Sequence, residues 1–274
     1  MSAQPVAGQA VGRQLHKFGG SSLADVKCYL RVAGIMAEYS FPGDMMVVSA
    51  AGSTTNQLIS WLRLSQTDRI SAHQVQQALR RYQSELITGL LPAELAEPLV
   101  ALFTQDLERL AALLDEPMCD ATYAEVVGHG EIWSARLMSA LLNVKGMESE
   151  WLDARIFLRA ERSAQPQVDE GRSYPLLQQL LAQHPNKRLV ATGFICRNDA
   201  GETVLLGRNG SDYSATQIGS LAGVSRVTIW SDVAGVYSAD PRKVKDACLL
   251  PLLRLDEASE LARLAAPVLH ARTL

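Results

Sequence analysis

Three times in this chain a short apolar run gives way to a loop of glycine, serine and other small residues, and the loop gives way to a helical pattern. Leu15 to Phe18 runs into Gly19-Gly20-Ser21-Ser22, followed by helical periodicity from Leu23 to Ser40. Met45 to Ser49 runs into Ala50-Ala51-Gly52-Ser53-Thr54-Thr55-Asn56 and a second helix. Thr203 to Leu206 runs into Gly207-Arg208-Asn209-Gly210-Ser211-Asp212 and a third. The first two units, within the first 65 residues, predict a parallel α/β sheet, because parallel strands need a crossover, usually a helix. A strand, a glycine turn and a helix N-terminus also make an anion site: free N–H groups converge there and the dipole favours negative charge. Ser211 or Asp212 is the predicted N-cap of the third helix. Arg208 offers a planar fork for a carboxylate or phosphate, and Asp212 offers one carboxylate.

The remaining chain reads as follows. Residues 71–116 are predicted helical, interrupted at Pro92 and Pro98, as an insertion without chemistry. Tyr123 to Val144 is a helix or helix pair, Glu150 to Ala154 a short strand and Ser173 to Gln183 a helix. Arg188 to Ile195 reads as one strand, with a hairpin turn at Asn198-Asp199-Ala200-Gly201. Arg226 to Trp230 is a strand, and Asp256 is the predicted N-cap of a helix reaching Ala265.

Bulk properties narrow the function classes. With 274 residues, 47% apolar and 20% charged, the chain can bury a sizeable core as one large domain or two packed lobes. A net charge of −3 lacks the basic footprint of a nucleic-acid binder. Cys28, Cys119, Cys196 and Cys248 form no CxxC pair, so they read as reduced thiols of a cytoplasmic protein rather than a zinc site. The small, polar residues 1–13 read as a flexible arm, not a signal peptide. No apolar run reaches the ~20 residues of a membrane helix.

Candidate chemistry is scattered. Lys17, at a strand end before Gly19, Gly20 and Ser22, suits a phosphate: the glycines allow close backbone approach and the ammonium neutralises charge. Neither GxxxxGK[ST] nor GxGxxG occurs, so this is neither a P-loop nor a dinucleotide fold. Ser49 and Thr55 can bind a polar ligand or simply cap a helix. Glu131 stands in GHGE beside His129, a histidine compatible with a purely structural role. Ser231, Asp232, Tyr237 and Arg242 follow a strand end, where open α/β sheets bind ligands. Each piece alone is also compatible with an ordinary polar turn.

Taken together the pieces are specific. KFGGSSL, VVSAAGSTTN, GHGE, TGFI, GRNGSDYSA, SDVAGVYSADPR and VLHARTL stand in the order and spacing of the aspartate kinases. Residues 15 to 274 resemble that family, in particular the kinase portions that precede a homoserine dehydrogenase, of the methionine-associated enteric subgroup. The resemblance implies a three-layer α/β/α sandwich on a mainly parallel sheet, spanning 14–274. About 14–185 would form an aspartate-binding lobe and about 186–274 an ATP-binding lobe. It implies phosphorylation of L-aspartate by ATP with Mg²⁺, the first step toward lysine, methionine and threonine. Lys17 and Asp212 would be catalytic. Ser49, Thr55, Glu131, Phe194, Arg208 and Ser211 would hold aspartate. Lys17, Gly19, Gly20, Ser22, Ser231, Asp232, Tyr237 and Arg242 would hold ATP, with Mg²⁺ carried mainly by the phosphates. No nucleic acid or membrane partner is expected, and the full-length protein would be a homo-oligomer. Regulatory and dehydrogenase domains are not expected within this chain. Pro267 stands where the family carries a lysine, so a catalytically weak scaffold remains an alternative, as does another acylphosphate-forming amino-acid kinase such as a glutamate kinase.

Overall fold

A computed structural model describes residues 12–240, 243–263 and 272. Strand β1 (Gln14–Phe18), helix α1 (Val26–Tyr39), β2 (Met45–Val48) and α2 (Thr54–Ser65) come first. Three long helices follow, α3 (Arg69–Leu90), α4 (Ala93–Leu114) and α5 (Asp120–Val144). Then come β3 (Ser149–Leu152), α6 (Glu170–Gln183), β4 (Arg188–Thr192), β5 (Ile195–Arg197) and β6 (Thr203–Leu205). The last described elements are α7 (Gly210–Ala222), β7 (Arg226–Trp230) and α8 (Leu255–Arg263).

The main sheet has the order β3-β4-β2-β1-β7, and every pairing is parallel. Its central strands are buried on both faces, which is why MMVV is an unbroken apolar run. Successive side chains point to opposite faces. Met46 and Val48 pack with α1 through α5, whereas Met45 and Val47 pack with α6 and α7. The result is three layers, helices over sheet over helices, as the resemblance implies.

Several local expectations differ. Arg188 to Ile195 is not one strand: β4 ends at Thr192, and Phe194 turns left-handed (φ 65°). The chain then leaves the sheet to form the antiparallel β5–β6 hairpin. Helix α7 starts on Asn209, also left-handed (φ 54°), with no side-chain cap bond. Ser211 and Asp212 therefore lie in its first turn rather than capping it. Asp256 likewise lies inside the first turn of α8, and the residue before that helix, Arg254, donates its N–H to Glu257 Oε2 (2.8 Å). Pro92 does separate α3 from α4, but Pro98 sits within α4 without breaking it.

Candidate active site

The register of the sheet assembles the site. Thr192, Val48, Phe18 and Trp230 are neighbours at one level of adjacent parallel strands. The residues that follow therefore leave the sheet side by side at its carboxyl edge: Gly193-Phe194, Ser49-Ala50, Gly19-Gly20 and Ser231-Asp232. Backbone bonds tie these exits together. Ser49 N–H donates to Phe18 O (3.1 Å), Gly52 N–H to Gly20 O (2.9 Å) and Gly193 N–H to Val48 O (2.9 Å).

Glycine is required where these loops touch. A Cβ on Gly20 would stand 2.7 Å from Ala50 O and 3.1 Å from Gly52 O. One on Gly193 would stand 2.6 Å from Ser211 Cβ, in the first turn of α7. Both contacts involve atoms that cannot swing aside. Gly193→Ala is expected to cost about 1–3 kcal/mol by overpacking and to lower the thermal midpoint accordingly; a midpoint equal to the parent's would show that α7 tolerates displacement.

At the centre of this edge, Lys17 is buried at the end of β1 and its Nζ pairs with Asp212 of α7. The 3-10 turn Gly20–Leu23 lies directly beyond, with Gly19 beside the ammonium. Ser22 N–H donates to Gly19 O (3.1 Å), which tightens that turn. The expected Lys17, Gly19, Gly20, Ser22 and Asp212 are thus brought together.

Glu131 approaches from below. Its helix, α5, passes so close to the β2–α2 loop that a Cβ on Gly130 would meet Ala50 Cβ at 2.7 Å. The carboxyl is fully buried, is bonded by the Ala50 and Glu131 backbone amides, and keeps Oε2 without a partner. Burial pushes its pKa up to about 8. A buried acid with one oxygen unsatisfied suits an incoming cation.

Ser49 and Thr55 are half-buried at this loop. Thr54 turns inward, where its hydroxyl accepts from Gln83 (3.1 Å). Phe194 is half-buried, and its N–H donates to Ser214 Oγ (2.9 Å). Arg208 is exposed on the β6–α7 loop, whereas Ser211 is buried in α7. Ser231 and Asp232 are exposed at the end of β7, and Tyr237 bridges to Leu249. Arg242 and Pro267 lie outside the described residues.

Some residues that shape the site escaped the sequence reading. Arg272 Nη1 donates to Leu206 O (2.6 Å) and its guanidinium lies 4.0 Å over the Tyr213 ring, which holds the turn before α7. His129, by contrast, reads in the sequence as compatible with a structural role, and it is a buried structural histidine. Its Nδ1 donates to Glu125 O (2.6 Å) and its Nε2 accepts from Arg109 (2.6 Å), an arrangement that only the neutral ring allows. Burial holds its pKa below the usual imidazole range.

Glycine turns, a buried lysine and a carboxylate thus meet at the carboxyl edge of the parallel sheet of an α/β/α protein. The chain belongs to the amino acid kinase family, whose profile matches residues 12–274. It is 85% identical over 265 residues to the bifunctional aspartokinase/homoserine dehydrogenase 2 of Escherichia coli K12, an alignment covering 97% of this chain and 33% of that protein. It is 33% identical over 264 residues to the lysine-sensitive aspartokinase 3 of E. coli, covering 94% of this chain and 57% of the relative. Among solved structures, E. coli aspartokinase III in complex with aspartate and ADP superposes with a TM-score of 0.87 at 29% identity. That match covers 96% of this chain and 58% of the other. The chain therefore spans between a third and three-fifths of the length of these relatives.

Proposed function

We propose that this chain is an aspartate kinase, transferring the γ-phosphoryl group of ATP to the β-carboxylate of L-aspartate and giving 4-phospho-L-aspartate and ADP. The observation that carries the reading is the buried Lys17–Asp212 pair between two glycine turns, with Glu131, whose Oε2 has no partner, bonded at the Ala50 backbone of the adjacent loop. The solved relative that holds aspartate and ADP supports it. The acceptor carboxylate is already anionic, so no general base is needed; positioning and charge neutralisation carry the rate.

In this reading Lys17, with Gly19, Gly20 and Ser22, faces the transferring phosphoryl group. Asp212 orients the Lys17 ammonium. Glu131 pairs the substrate ammonium. Arg208 forks the α-carboxylate beside Ser211 and the first amides of α7. Ser49, Thr55 and Phe194 line the remaining wall. Ser231, Asp232, Tyr237 and Arg242 hold the nucleotide. The aspartate side is built mainly from 14–185 and the ATP side from 186–274, although Phe194, Arg208 and Ser211 come from the second stretch.

No group of three metal-ligating side chains occurs among the described residues. Asp212, beside Lys17, is the carboxylate at hand, and in this reading a Mg²⁺ ion is carried chiefly by the ATP phosphates. Bound there, the ion would neutralise phosphate charge. Among the described residues no helix is long and apolar enough to cross a membrane. The proposal places the chain in a cytoplasmic biosynthetic enzyme that opens the route to lysine, methionine and threonine. A homo-oligomer of the longer protein belongs to the same proposal.

A coupled ADP-release assay across a panel of amino acids tests the reading. Turnover is expected with L-aspartate, little with L-glutamate and none with N-acetylated acids. One extra methylene moves the reacting carboxylate away from the phosphate, and such misplacement costs on the order of a hundredfold. Arg208→Ala should raise the aspartate KM by about tenfold or more, since a charge-assisted bond contributes ~1.5–3 kcal/mol; the ATP KM should stay within about twofold. Equal kcat/KM for aspartate and glutamate would sink the substrate assignment.

A further inference from the structure

Glu125 lies on α5, six residues before Glu131, and gathers partners from three other elements. Its Oε2 accepts from Arg155 Nη1 (2.8 Å) and from Thr203 Oγ1 (2.5 Å). Its Oε1 accepts from Arg109 Nη1 of α4 (3.1 Å). Arg155 follows β3 in the 3-10 turn Ala154–Ile156 and is itself held by Asp153, with Nε 3.0 Å from Oδ1 and Nη2 2.6 Å from Oδ2. Arg155 Nη1 also reaches Thr203 Oγ1 at 3.1 Å. The Arg155 side chain is only 12% exposed and Glu125 21%, so solvent screens this pair far less than a surface one.

Thr203 opens β6, and this gives the cluster its reach. The β5–β6 hairpin is closed at its base by Leu206 N–H donating to Phe194 O (2.8 Å). Phe194 precedes the hairpin and Arg208 follows it. The hairpin also rests directly on α5: a Cβ on Gly128 would stand 2.7 Å from Ile195 Cγ2 and 3.6 Å from Thr203 Cγ2. Glu131 is thus carried on α5, and Phe194 and Arg208 on the hairpin bound to α5 through Glu125.

We propose that the Glu125–Arg155 pair is a positioning device, setting the separation between Glu131 and Arg208 and so selecting the length of the dicarboxylate substrate. Neither residue touches the reacting atoms. The inference rests on the aspartate kinase reading. If Glu131 and Arg208 read opposite ends of the amino-acid head group, a clasp fixing the hairpin to α5 fixes the place left for the reacting carboxylate. Loosening it relaxes that distance, while Lys17 stays on β1, which is paired on both sides within the sheet.

Kinetics on the 274-residue chain distinguish this from a merely structural role. Arg155→Met is expected to raise the aspartate KM at least tenfold, to leave the ATP KM within twofold, and to lower the aspartate-to-glutamate ratio of kcat/KM. Arg155→Lys should recover part of the loss, and Glu125→Gln, which keeps the shape, should reproduce it. The latter two carry the test should Arg155→Met not fold. An aspartate KM within twofold of the parent in the folded variants, or parallel losses for aspartate and ATP with unchanged selectivity, would overturn the clasp alone. A parent chain that releases no ADP with aspartate would overturn the functional reading and the clasp with it.

Discussion

Lys17→Met should lower kcat by about a hundredfold or more while leaving the aspartate KM within about threefold. The methionine keeps most of the stem that fills the buried end of β1 but removes the ammonium that Asp212 balances. Phosphoryl transfer places growing charge on oxygens beside the 3-10 turn Gly20–Leu23, and a fixed ammonium in a water-poor setting stabilises that charge without reorganising. Losing such a group costs ~3 kcal/mol, which is the hundredfold stated. The loss belongs to the transition state, so it appears in kcat rather than in aspartate affinity. Asp212 would lose its partner, and thermal unfolding of Lys17→Met and Asp212→Asn separates that structural cost from the catalytic one. Single-turnover rates for Lys17→Met within threefold of the parent would exclude the role.

The parts of this site that could be read from the sequence are those where one local rule fixes both structure and chemistry. Strand ends at Phe18 and Val48, with small-residue loops and helices after them, follow from apolar runs and glycine punctuation alone. Lys17 is found this way because it sits inside its own motif. The break after Thr192 was not legible. RLVATGFI carries apolar residues on both sides of Thr192-Gly193, and the chain turns out of the sheet where it packs on α7, with Gly193 against Ser211 and Phe194 against Gly210. The cap of α7 was misread for a related reason: Asn209 tolerates the left-handed conformation that the turn imposes, and this displaces the cap from the serine and aspartate that propensity favours. The Glu125 cluster draws on Arg109, Arg155 and Thr203, residues up to 78 positions from Glu125. No local pattern marks such residues, because their pairing is decided by how helices and hairpin pack.

Glu131→Gln should make the free protein more stable at alkaline pH and a much poorer binder of aspartate. Burial raises the Glu131 pKa from 4.5 to about 8. A carboxyl raised in the folded state contributes stability that is fully present below its unfolded value and is lost as pH rises through the folded one. The parent should therefore lose stability between about pH 5 and pH 8 relative to Glu131→Gln, by up to a few kcal/mol, since each pKa unit is ~1.4 kcal/mol. Glutamine keeps the shape and can still accept from the Ala50 amide, but it has no charge to desolvate. It also has no charge to offer the substrate ammonium. Removing one side of a buried ion pair costs ~2–5 kcal/mol, so the aspartate KM should rise at least about 30-fold. In the parent, the arriving ammonium favours the ionised carboxyl, so aspartate binding near pH 7 should release a proton to the buffer. Calorimetry in buffers of different ionisation enthalpy measures that release, and it should vanish in Glu131→Gln. A parent and variant whose unfolding midpoints run parallel from pH 5 to pH 8.5 would show that Glu131 is not a buried acid. An aspartate KM within threefold of the parent would remove it from the substrate site.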